Sequence, residues 1–179
     1  MITNIETKEA KERALNFFKK NYIVLTPEEK KNIEITDFSL GRLNEFGLQL
    51  ITYINTERVC AKEMVLFPYQ ICPEHKHPPI NEKKGKEETF RCRWGKVYLY
   101  VPGKKTGKSL TRIPEDKKQY FTVWKEIVLN PGEQYTIYPD TLHWFQGGEE
   151  GAIVSEFSTK STDEKDVFTD PYIERIPIR

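Results

Sequence analysis

The spacing of apolar residues near the start of the chain predicts one long amphipathic helix over residues 7–21. Its apolar stripe consists of Ala10, Ala14, Phe17, Phe18 and Tyr22. Lysines and glutamates fill the opposite side of this helix. Thr26 followed by a proline and two glutamates is typical of a helix N-terminus, so a short second helix is predicted near 27–32.

Beyond this helical start, the pattern changes to short runs rich in β-branched and aromatic residues, which predict strands. The predicted strands are 47–55, 59–68, 70–76, 88–94, 96–102, 119–129, 134–138 and 151–158. The turns expected between them lie at Asn55-Thr56, Gly95, Pro102-Gly103 and Pro131-Gly132. Many short strands at this spacing indicate a mainly β fold, either a sandwich or a barrel.

The distribution of these elements predicts a single domain. A helical segment at 1–33 precedes the β-barrel at 34–158, and a C-terminal extension covers 159–179. The polar stretch 103–118 is predicted to be an excursion from the barrel. The sequence contains no internal repeat and no low-complexity tract.

Composition narrows the function classes. The 28 basic and 27 acidic residues nearly balance, so a basic face for nucleic acid is not expected. No apolar run is long enough to span a bilayer, and the start lacks a signal-peptide pattern. Three widely spaced cysteines argue against a disulfide framework, so we expect a cytoplasmic protein. The Lys83–Lys86 region is interpreted as solvated surface.

The chain's three histidines are the candidate metal ligands. His75 and His77 have the i, i+2 spacing that points both side chains to one face of a strand. Glu88 opens the next strand, and a hairpin between these strands would bring it alongside the pair. His143 follows a turn that contains Pro139.

Three imidazoles and a carboxylate suit a divalent ion such as Mn, Fe, Co, Ni or Zn. The added carboxylate favours an octahedral ion with positions open to a substrate. The alternative is two solvated histidines and one buried one, with Glu88 as a surface acid.

The order of these residues resembles the two motifs of the cupin superfamily. The first motif is matched by His75, His77, Glu88 and Gly95. The second motif is matched by His143 after Pro139. The gap of ten residues between His77 and Glu88 is longer than in the family motif, and Thr141 stands where glycine is usual. The resemblance implies a jelly-roll type β-barrel with one metal site, and it does not by itself name a reaction.

A closer resemblance covers roughly residues 22–173. The segments that carry it are Gly47–Leu50, Lys62-Glu63 with Val65–Pro68, Glu74–Pro79, Glu88–Arg93 with Gly95–Tyr100, His143–Gln146 and Thr169–Pro171. These segments look like the D-lyxose isomerases of bacteria and archaea, which are manganese-dependent cupins. The resemblance implies interconversion of D-lyxose with D-xylulose and of D-mannose with D-fructose. It also implies that His75, His77, Glu88 and His143 bind Mn²⁺, with ions such as Co²⁺ as possible replacements.

An isomerase of this kind needs a base outside the ligand set to move a proton between two carbons. Glu156 is the first candidate, because it lies on an apolar late strand. Lys62 interrupts another apolar strand and is predicted to stabilise the enediolate charge. The alternative for both residues is an outward-facing charge on the solvent side of the strand.

Residues of the tail and several aromatic residues are the candidate sugar contacts. Asp166 is predicted to bind sugar hydroxyls from a tail that folds over the barrel mouth, with Asp163 and Asp170 as neighbours. Trp94 and Phe145 are candidates to stack on the sugar, and core packing is the alternative for each.

Two further function classes stay open at the level of sequence. The same ligands can hold Fe(II) in a cupin dioxygenase, and a non-enzymatic sugar-binding module is the third reading. The predicted partner is a small sugar. An apolar barrel edge near 47–55 predicts a homodimer, while no membrane or nucleic-acid partner is expected.

Overall fold

The computed structural model describes residues 2–106 and 111–176. Two α-helices come first, α1 (Asn4–Lys20) and α2 (Pro27–Lys31). The strands are β1 (Glu34–Thr36), β2 (Leu48–Asn55), β3 (Cys60–Leu66), β4 (Ile71–Lys76), β5 (Glu88–Val101), β6 (Lys125–Leu129), β7 (Gln134–Ile137), β8 (His143–Ser158) and β9 (Val167–Phe168). Short 3₁₀ helices occupy Glu115–Tyr120 and Asp163–Lys165.

Both α-helices begin at a capping box. In α1 the hydroxyl of Thr3 accepts from the Glu6 backbone N–H, and the Glu6 carboxylate accepts from the Thr3 N–H at 2.7 Å. This box starts α1 three residues earlier than predicted. Thr26 and Glu29 repeat the arrangement in α2. Ala10, Ala14 and Phe18 of the stripe are buried, with Phe17 packed beside them, in a cluster that includes residues of β1, β2 and β3, so the helix covers the outer face of these strands. The prediction is wrong for Tyr22, which follows the end of α1 and is 93% exposed.

Strands β5 and β8 organise the barrel. They pair antiparallel from Glu88↔Ser158 to Tyr100↔Trp144. The other edge of β8 pairs with β3 through its second half and with β4 through its first half. Strands β1 and β2 extend the β3 side, β9 extends the β4 side, and β6 and β7 pair with opposite halves of β5. Two curved groups of strands therefore enclose one apolar core.

The predicted break between strands 88–94 and 96–102 is wrong. Gly95 lies within the continuous strand β5, where register shifts occur at Cys92/Trp94 and Gly95/Val97. Its φ of +73° is a left-handed conformation, and a Cβ there would lie 2.1 Å from the Gly151 carbonyl oxygen. Gly95 thus forms a bulge that bends the strand instead of a turn that ends it.

Other element boundaries also differ from the prediction. The region predicted as strand 119–129 is a 3₁₀ helix up to Tyr120, and only Lys125–Leu129 is strand. Strand β8 begins at His143, eight residues before the predicted start at 151. Part of the predicted excursion, 107–110, lies outside the described residues.

Strand β4 does not form the expected hairpin with β5. Its partners are β8 and β9, so the predicted C-terminal extension returns to the barrel and adds a short strand beside the histidines. Within the described residues, neither α-helix is both long and apolar enough to cross a membrane. All three cysteines are buried and free.

Candidate metal centre

The end of the barrel where β4, β5 and β8 meet gathers the three histidines. His75 on β4 is the direct cross-strand partner of His143, the first residue of β8. His77 follows directly after the end of β4. Ligand atoms of the three imidazoles all lie within 4.8 Å of one another. All three side chains are buried, with exposures of 4%, 6% and 0% for His75, His77 and His143.

Each imidazole is oriented by an oxygen at its Nδ1 atom. His75 Nδ1 lies 2.8 Å from the Pro73 carbonyl oxygen, and His143 Nδ1 lies 2.9 Å from the Thr141 carbonyl oxygen. His77 Nδ1 lies 2.5 Å from a carboxylate oxygen of Asp166. Because these oxygens accept hydrogen bonds, we assign the proton of each neutral ring to Nδ1. The Nε2 lone pairs are then available to a metal ion.

Glu88 supplies the carboxylate. Its Oε1 atom lies 2.9 Å from His143 Nε2 and 3.2 Å from His77 Nε2. His143 Nε2 is nevertheless buried without a hydrogen bond. A ring nitrogen lone pair and a carboxylate oxygen repel at this distance unless a proton or cation lies between them. Three nitrogen atoms and one oxygen atom in this arrangement fit a divalent ion of the first transition row.

Charges around the cluster shift its pKa values in opposite directions. Burial, with His143 and His77 adding to it, lowers the pKa of His75 well below its usual range. Burial is the largest influence on the pKa of His77 and lowers it, but the Glu88 charge and the hydrogen bonds to Asp166 and Glu88 together raise that pKa to about 9. Without a metal the His77 ring is therefore charged at neutral pH, and it would release its Nε2 proton when a metal binds. Although burial opposes ionisation of Glu88, Lys86 and His77 hold its pKa well below the usual range. The carboxylate is therefore ionised, as a metal ligand must be.

Beside the histidines lies a buried network of charges. Lys86 Nζ lies 2.8 Å from Glu88 Oε2 and 3.1 Å from Glu156 Oε1. Lys62 Nζ lies 3.6 Å from the same Glu156 oxygen and 2.6 Å from Asp163 Oδ2. Arg175 completes the network with Nη2 3.0 Å from Asp163 Oδ2. Three cations and three carboxylates therefore share one side of the barrel interior.

The candidates Glu156 and Lys62 both point into the barrel. They are cross-strand partners on β8 and β3, so strand alternation places their side chains on the same face. Both are nearly inaccessible to solvent, at 3% and 4% exposure. The outward-facing alternative does not apply to either residue. The Glu156 carboxylate also accepts a hydrogen bond from the Ser158 hydroxyl at 2.9 Å.

The interpretation of Lys83–Lys86 as solvated surface is wrong for Lys86. Lys83 is exposed, but Lys86 is buried beside Glu88. Burial alone would lower the pKa of Lys86, yet Glu156, Glu88 and Asp163 raise it well above its usual range. The sequence signal that marks Lys86 is its i, i+2 spacing to Glu88. Arg175 offers no such signal, because it lies far along the chain in a segment without regular strand pattern.

The three tail aspartates have separate roles. Asp163 contacts Lys62, Lys86 and Arg175. Asp166 contacts His77 and Arg175, so its carboxylate is engaged by protein groups instead of facing a sugar as predicted. Asp170 forms an ion pair with Lys117 at 2.7 Å, away from the histidines.

Of the two predicted aromatic sugar contacts, only Phe145 faces the site. It lines the cavity next to the histidines and packs edge-on against Phe90 at 5.0 Å. Strict alternation along β5 would place Trp94 on the same face as Glu88, but the bulge between Cys92 and Trp94 reverses its side of the strand. Its ring packs against Phe17 of α1 at 5.5 Å. The structure therefore places Trp94 against α1 and not in the lining of the cavity, away from the predicted sugar site.

The cavity between the histidines and the charged network is small. It holds about 20 Å³ of free space. Its lining combines apolar residues of the barrel with His75, His77, Lys62, Lys86, Glu88, Glu156, Asp163 and Arg175. A volume of this size accommodates about one water molecule. A sugar therefore requires the charged side chains, or the segment that carries some of them, to shift outward.

Comparison with known proteins gives a match over most of the chain. The model of a family described as D-lyxose isomerase matches residues 27–178. The D-lyxose ketol-isomerase of Thermofilum sp. (strain ex4484_79) is 64% identical over 177 residues, which cover 99% of this chain and 98% of that protein. The D-lyxose/D-mannose isomerase of Thermosediminibacter oceani is 63% identical over 177 residues, which again cover 99% of this chain and 98% of that protein.

A solved structure supports the fold separately. The ligand-free L-ribose isomerase of Cellulomonas parahominis aligns with a TM-score of 0.78, covering 96% of this chain and 94% of that one, at 15% sequence identity. At this identity the comparison shows the fold alone. The predicted cupin-type β-barrel with an N-terminal helix is confirmed.

Proposed function

Because the chain belongs to the D-lyxose isomerase family, we propose that it interconverts D-lyxose with D-xylulose, and D-mannose with D-fructose. The observation that carries this proposal is a pair of neighbouring groups inside the barrel. A set of imidazole nitrogens around the Glu88 carboxylate lies beside the buried Glu156, which is flanked by two lysines. The imidazoles with Glu88 suit the binding of a metal ion, and Glu156 with its two lysines suits proton transfer.

We propose that the metal is Mn²⁺ and that His75, His77, Glu88 and His143 hold it. The mixed nitrogen and oxygen donor set supports an ion that accepts six ligands, which leaves positions for two sugar oxygens. When bound, the ion supplies Lewis-acid polarisation of the sugar carbonyl. Zinc and cobalt share the affinity for imidazole, so the ion must be identified by reconstitution.

Glu156 would act as the base that moves the proton between C1 and C2 of the open-chain sugar. Its carboxylate is on the Glu88 side of the cavity, since Lys86 contacts both residues. Lys86 and Lys62 place positive charge where negative charge develops on the sugar oxygens as the proton leaves carbon. Phe145 and Phe90 exclude water from the apolar side of the cavity.

The test is a panel of aldoses and ketoses, assayed anaerobically with metal-stripped protein before and after return of Mn²⁺, Co²⁺, Zn²⁺ or Fe²⁺. We expect D-lyxose and D-xylulose to interconvert only in the presence of metal, with D-mannose slower. Turnover without oxygen excludes the dioxygenase reading, and any catalysed turnover excludes the non-enzymatic binder. Failure to convert any pentose or hexose with Mn²⁺ present would reject the proposed function.

The proposal also includes a homodimer and a cytoplasmic location. The three free, buried cysteines are compatible with a reducing compartment. Several apolar side chains of β2, β8 and the turn before β3 are exposed, among them Tyr53, Ile54, Val59 and Phe157. Light scattering of the purified protein at several concentrations measures its mass and tests the dimer.

A further inference from the structure

We propose that Asp166 is a positioning residue for His77, through which the C-terminal segment (residues 159–176) forms the outer wall of the metal centre. The inference rests on the proposed metal site and deepens it. It assigns the tail a role in metal retention, in place of the sugar contact predicted from sequence.

His77 differs from the other two histidines in what orients its ring. His75 and His143 are each fixed by a backbone carbonyl two residues earlier in the chain, so their orientation is local. His77 is fixed by the side chain of Asp166, 89 residues away in sequence. The Asp166 side chain is only 2% exposed. One of the proposed ligands therefore depends on the tail being in place.

The C-terminal segment is fastened to the strand that carries the ligands. Strand β9 pairs with β4 at His75↔Phe168 and Lys76↔Val167. The Phe168 ring also stacks on the His75 imidazole at 5.3 Å between centroids. These contacts set the position of Asp166, which directly precedes β9.

A buried carboxylate secures the same segment from the other side of β4. The Glu74 carboxylate accepts a hydrogen bond from the Thr169 hydroxyl at 2.8 Å. It also accepts from the backbone N–H groups of Thr122 and Val123. The Thr169 backbone N–H donates to the Glu74 carbonyl at 3.0 Å. Glu74 thereby links the tail, β4 and the segment before β6.

Charge also favours this role for Asp166. A carboxylate that accepts the Nδ1 proton of a ligating histidine fixes the ring and makes Nε2 a better donor to the metal. The second Asp166 oxygen is buried without a hydrogen bond, and Arg175 Nη1 lies 3.7 Å from it. Arg175 thus balances the charge of Asp166 without taking the place of His77.

The experiment measures the Mn²⁺ dissociation constant of metal-stripped protein by competition with a chelator. Asp166→Ala removes both the charge and the hydrogen bond, whereas Asp166→Asn keeps an acceptor oxygen. We expect Asp166→Ala to raise the dissociation constant by about 10- to 100-fold, with Asp166→Asn between it and the wild type. Circular dichroism checks that each variant is folded.

Two control variants separate this role from general loosening of the tail. Asp170→Asn alters a buried carboxylate of the same segment that pairs with Lys117, and Glu164→Gln alters an exposed one. Both should retain the wild-type dissociation constant within about twofold.

Wild-type affinity in folded Asp166→Ala, or an equal loss in Asp170→Asn, would overturn the inference. Absence of tight Mn²⁺ binding by the wild type would instead reject the proposed metal site. If Asp166→Ala fails to fold, Asp166→Asn provides the test. Its Mn²⁺ dissociation constant must then exceed that of the wild type, and an unchanged value would overturn the inference.

Discussion

At the residue scale, the proposed chemistry depends on Glu156. Its carboxylate lies between two lysine ammonium groups inside the barrel. Glu156→Gln preserves the shape of the side chain but removes the basic oxygen. We expect kcat to fall by about a hundredfold or more, with a small change in KM, because the loss affects proton transfer. Steady-state kinetics with Mn²⁺-loaded protein measures both constants.

The matched control for Glu156 is a buried glutamate on the opposite face of the same sheet. The Glu63 carboxylate on β3 accepts a hydrogen bond from the Ser155 hydroxyl, and burial raises the pKa of Glu63. Glu63→Gln changes a buried carboxylate in the same way but outside the cavity, so kcat should stay close to that of the wild type. If Glu156→Gln binds metal and keeps wild-type kcat, Glu156 is not the base.

The sequence predicts the inward-facing residues only where the signal is local. The i, i+2 spacing of His75 and His77 reflects one strand face, and the structure places both imidazoles together. Lys86 is missed because a lysine in a charged run is usually solvated, and its burial depends on carboxylates from β5, β8 and the tail. The engagement of Asp166 by His77 depends on a contact across 89 residues, which no local pattern contains.

At the scale of elements, the bend of β5 depends on Gly95. A Cβ at this position would approach the Gly151 carbonyl oxygen to 2.1 Å, in addition to the cost of a φ of +73°. Gly132 also has a positive φ, but a Cβ there would meet no atom within 4 Å. We expect Gly132→Ala to cost about 1–2 kcal/mol of unfolding free energy. Gly95→Ala should cost about 1–3 kcal/mol more because of the added overlap.

Urea denaturation of the two glycine variants measures this difference. Equal losses of unfolding free energy would show that backbone conformation alone accounts for the glycine at 95. In that case the close approach of β5 and β8 would not explain its presence.

The C-terminal segment depends on Asp163, the carboxylate that joins Lys62, Lys86 and Arg175. Asp163→Asn leaves these buried cations with fewer counter-charges, so it should cost about 3–5 kcal/mol of unfolding free energy near neutral pH. Urea denaturation measures the loss, and Glu164→Gln, a change at an exposed neighbour, should cost little. A loss in Asp163→Asn no larger than that in Glu164→Gln would contradict the role of Asp163 as the centre of the network.

The contribution of Asp163 also has a pH dependence of defined sign. Burial raises its pKa, but Lys86, Arg175 and Lys62 outweigh this and hold the pKa well below its usual range. A carboxylate with a lowered pKa in the folded state stabilises the protein above its unfolded pKa of about 4. The difference between wild type and Asp163→Asn should therefore be constant at neutral pH and shrink as the pH falls below about 4. A difference that grows in acid would contradict this assignment.

Element type was easier to predict than element continuity. The amphipathic stripe predicts α1, and the β-branched runs predict β2, β3 and β4 close to their observed bounds. Glycine usually marks a turn, so the sequence predicts two strands separated at Gly95, where the structure has one continuous strand. The bulge in this strand turns Trp94 to the face opposite the one that strict alternation predicts. The three-residue β1 and the two-residue β9 are too short to show a periodic pattern. Each is defined as a strand only by its pairing, β1 with β2 and β9 with β4, which the local sequence does not reveal.

At the scale of the molecule, the closed barrel should protect its three thiols. Burial raises the pKa of Cys60 and Cys72, and it raises that of Cys92 to about 11. Since the thiolate is the reactive form, we expect labelling by a thiol-disulfide reagent to be slow in the native state and to follow unfolding. The labelling rate, measured against urea concentration, should parallel the unfolding curve. Rapid reaction of any thiol in native buffer would show that this part of the barrel opens locally.

The strand-rich pattern predicts a mainly β fold and the histidine spacing predicts a metal site, whereas the jelly-roll type of the barrel and the isomerase activity are implied by the family resemblance. The charged network was not predictable, because it combines residues from β3, β5, β8, the segment before β5 and the tail. Burying any one of these charges alone in an apolar core would cost a large desolvation free energy, which is offset only when the opposite charges are buried beside it. The chemistry of the interior is therefore a property of the complete fold.

The central claim is that one divalent ion bound by His75, His77, Glu88 and His143 supports the isomerisation. Anomalous diffraction from crystals of active, Mn²⁺-loaded protein, collected on both sides of the manganese absorption edge, tests it most directly. The account predicts one manganese peak in each chain, within bonding distance of the three Nε2 atoms and a Glu88 carboxylate oxygen. A manganese peak at other residues, or none at these four in crystals of active protein, would contradict the account.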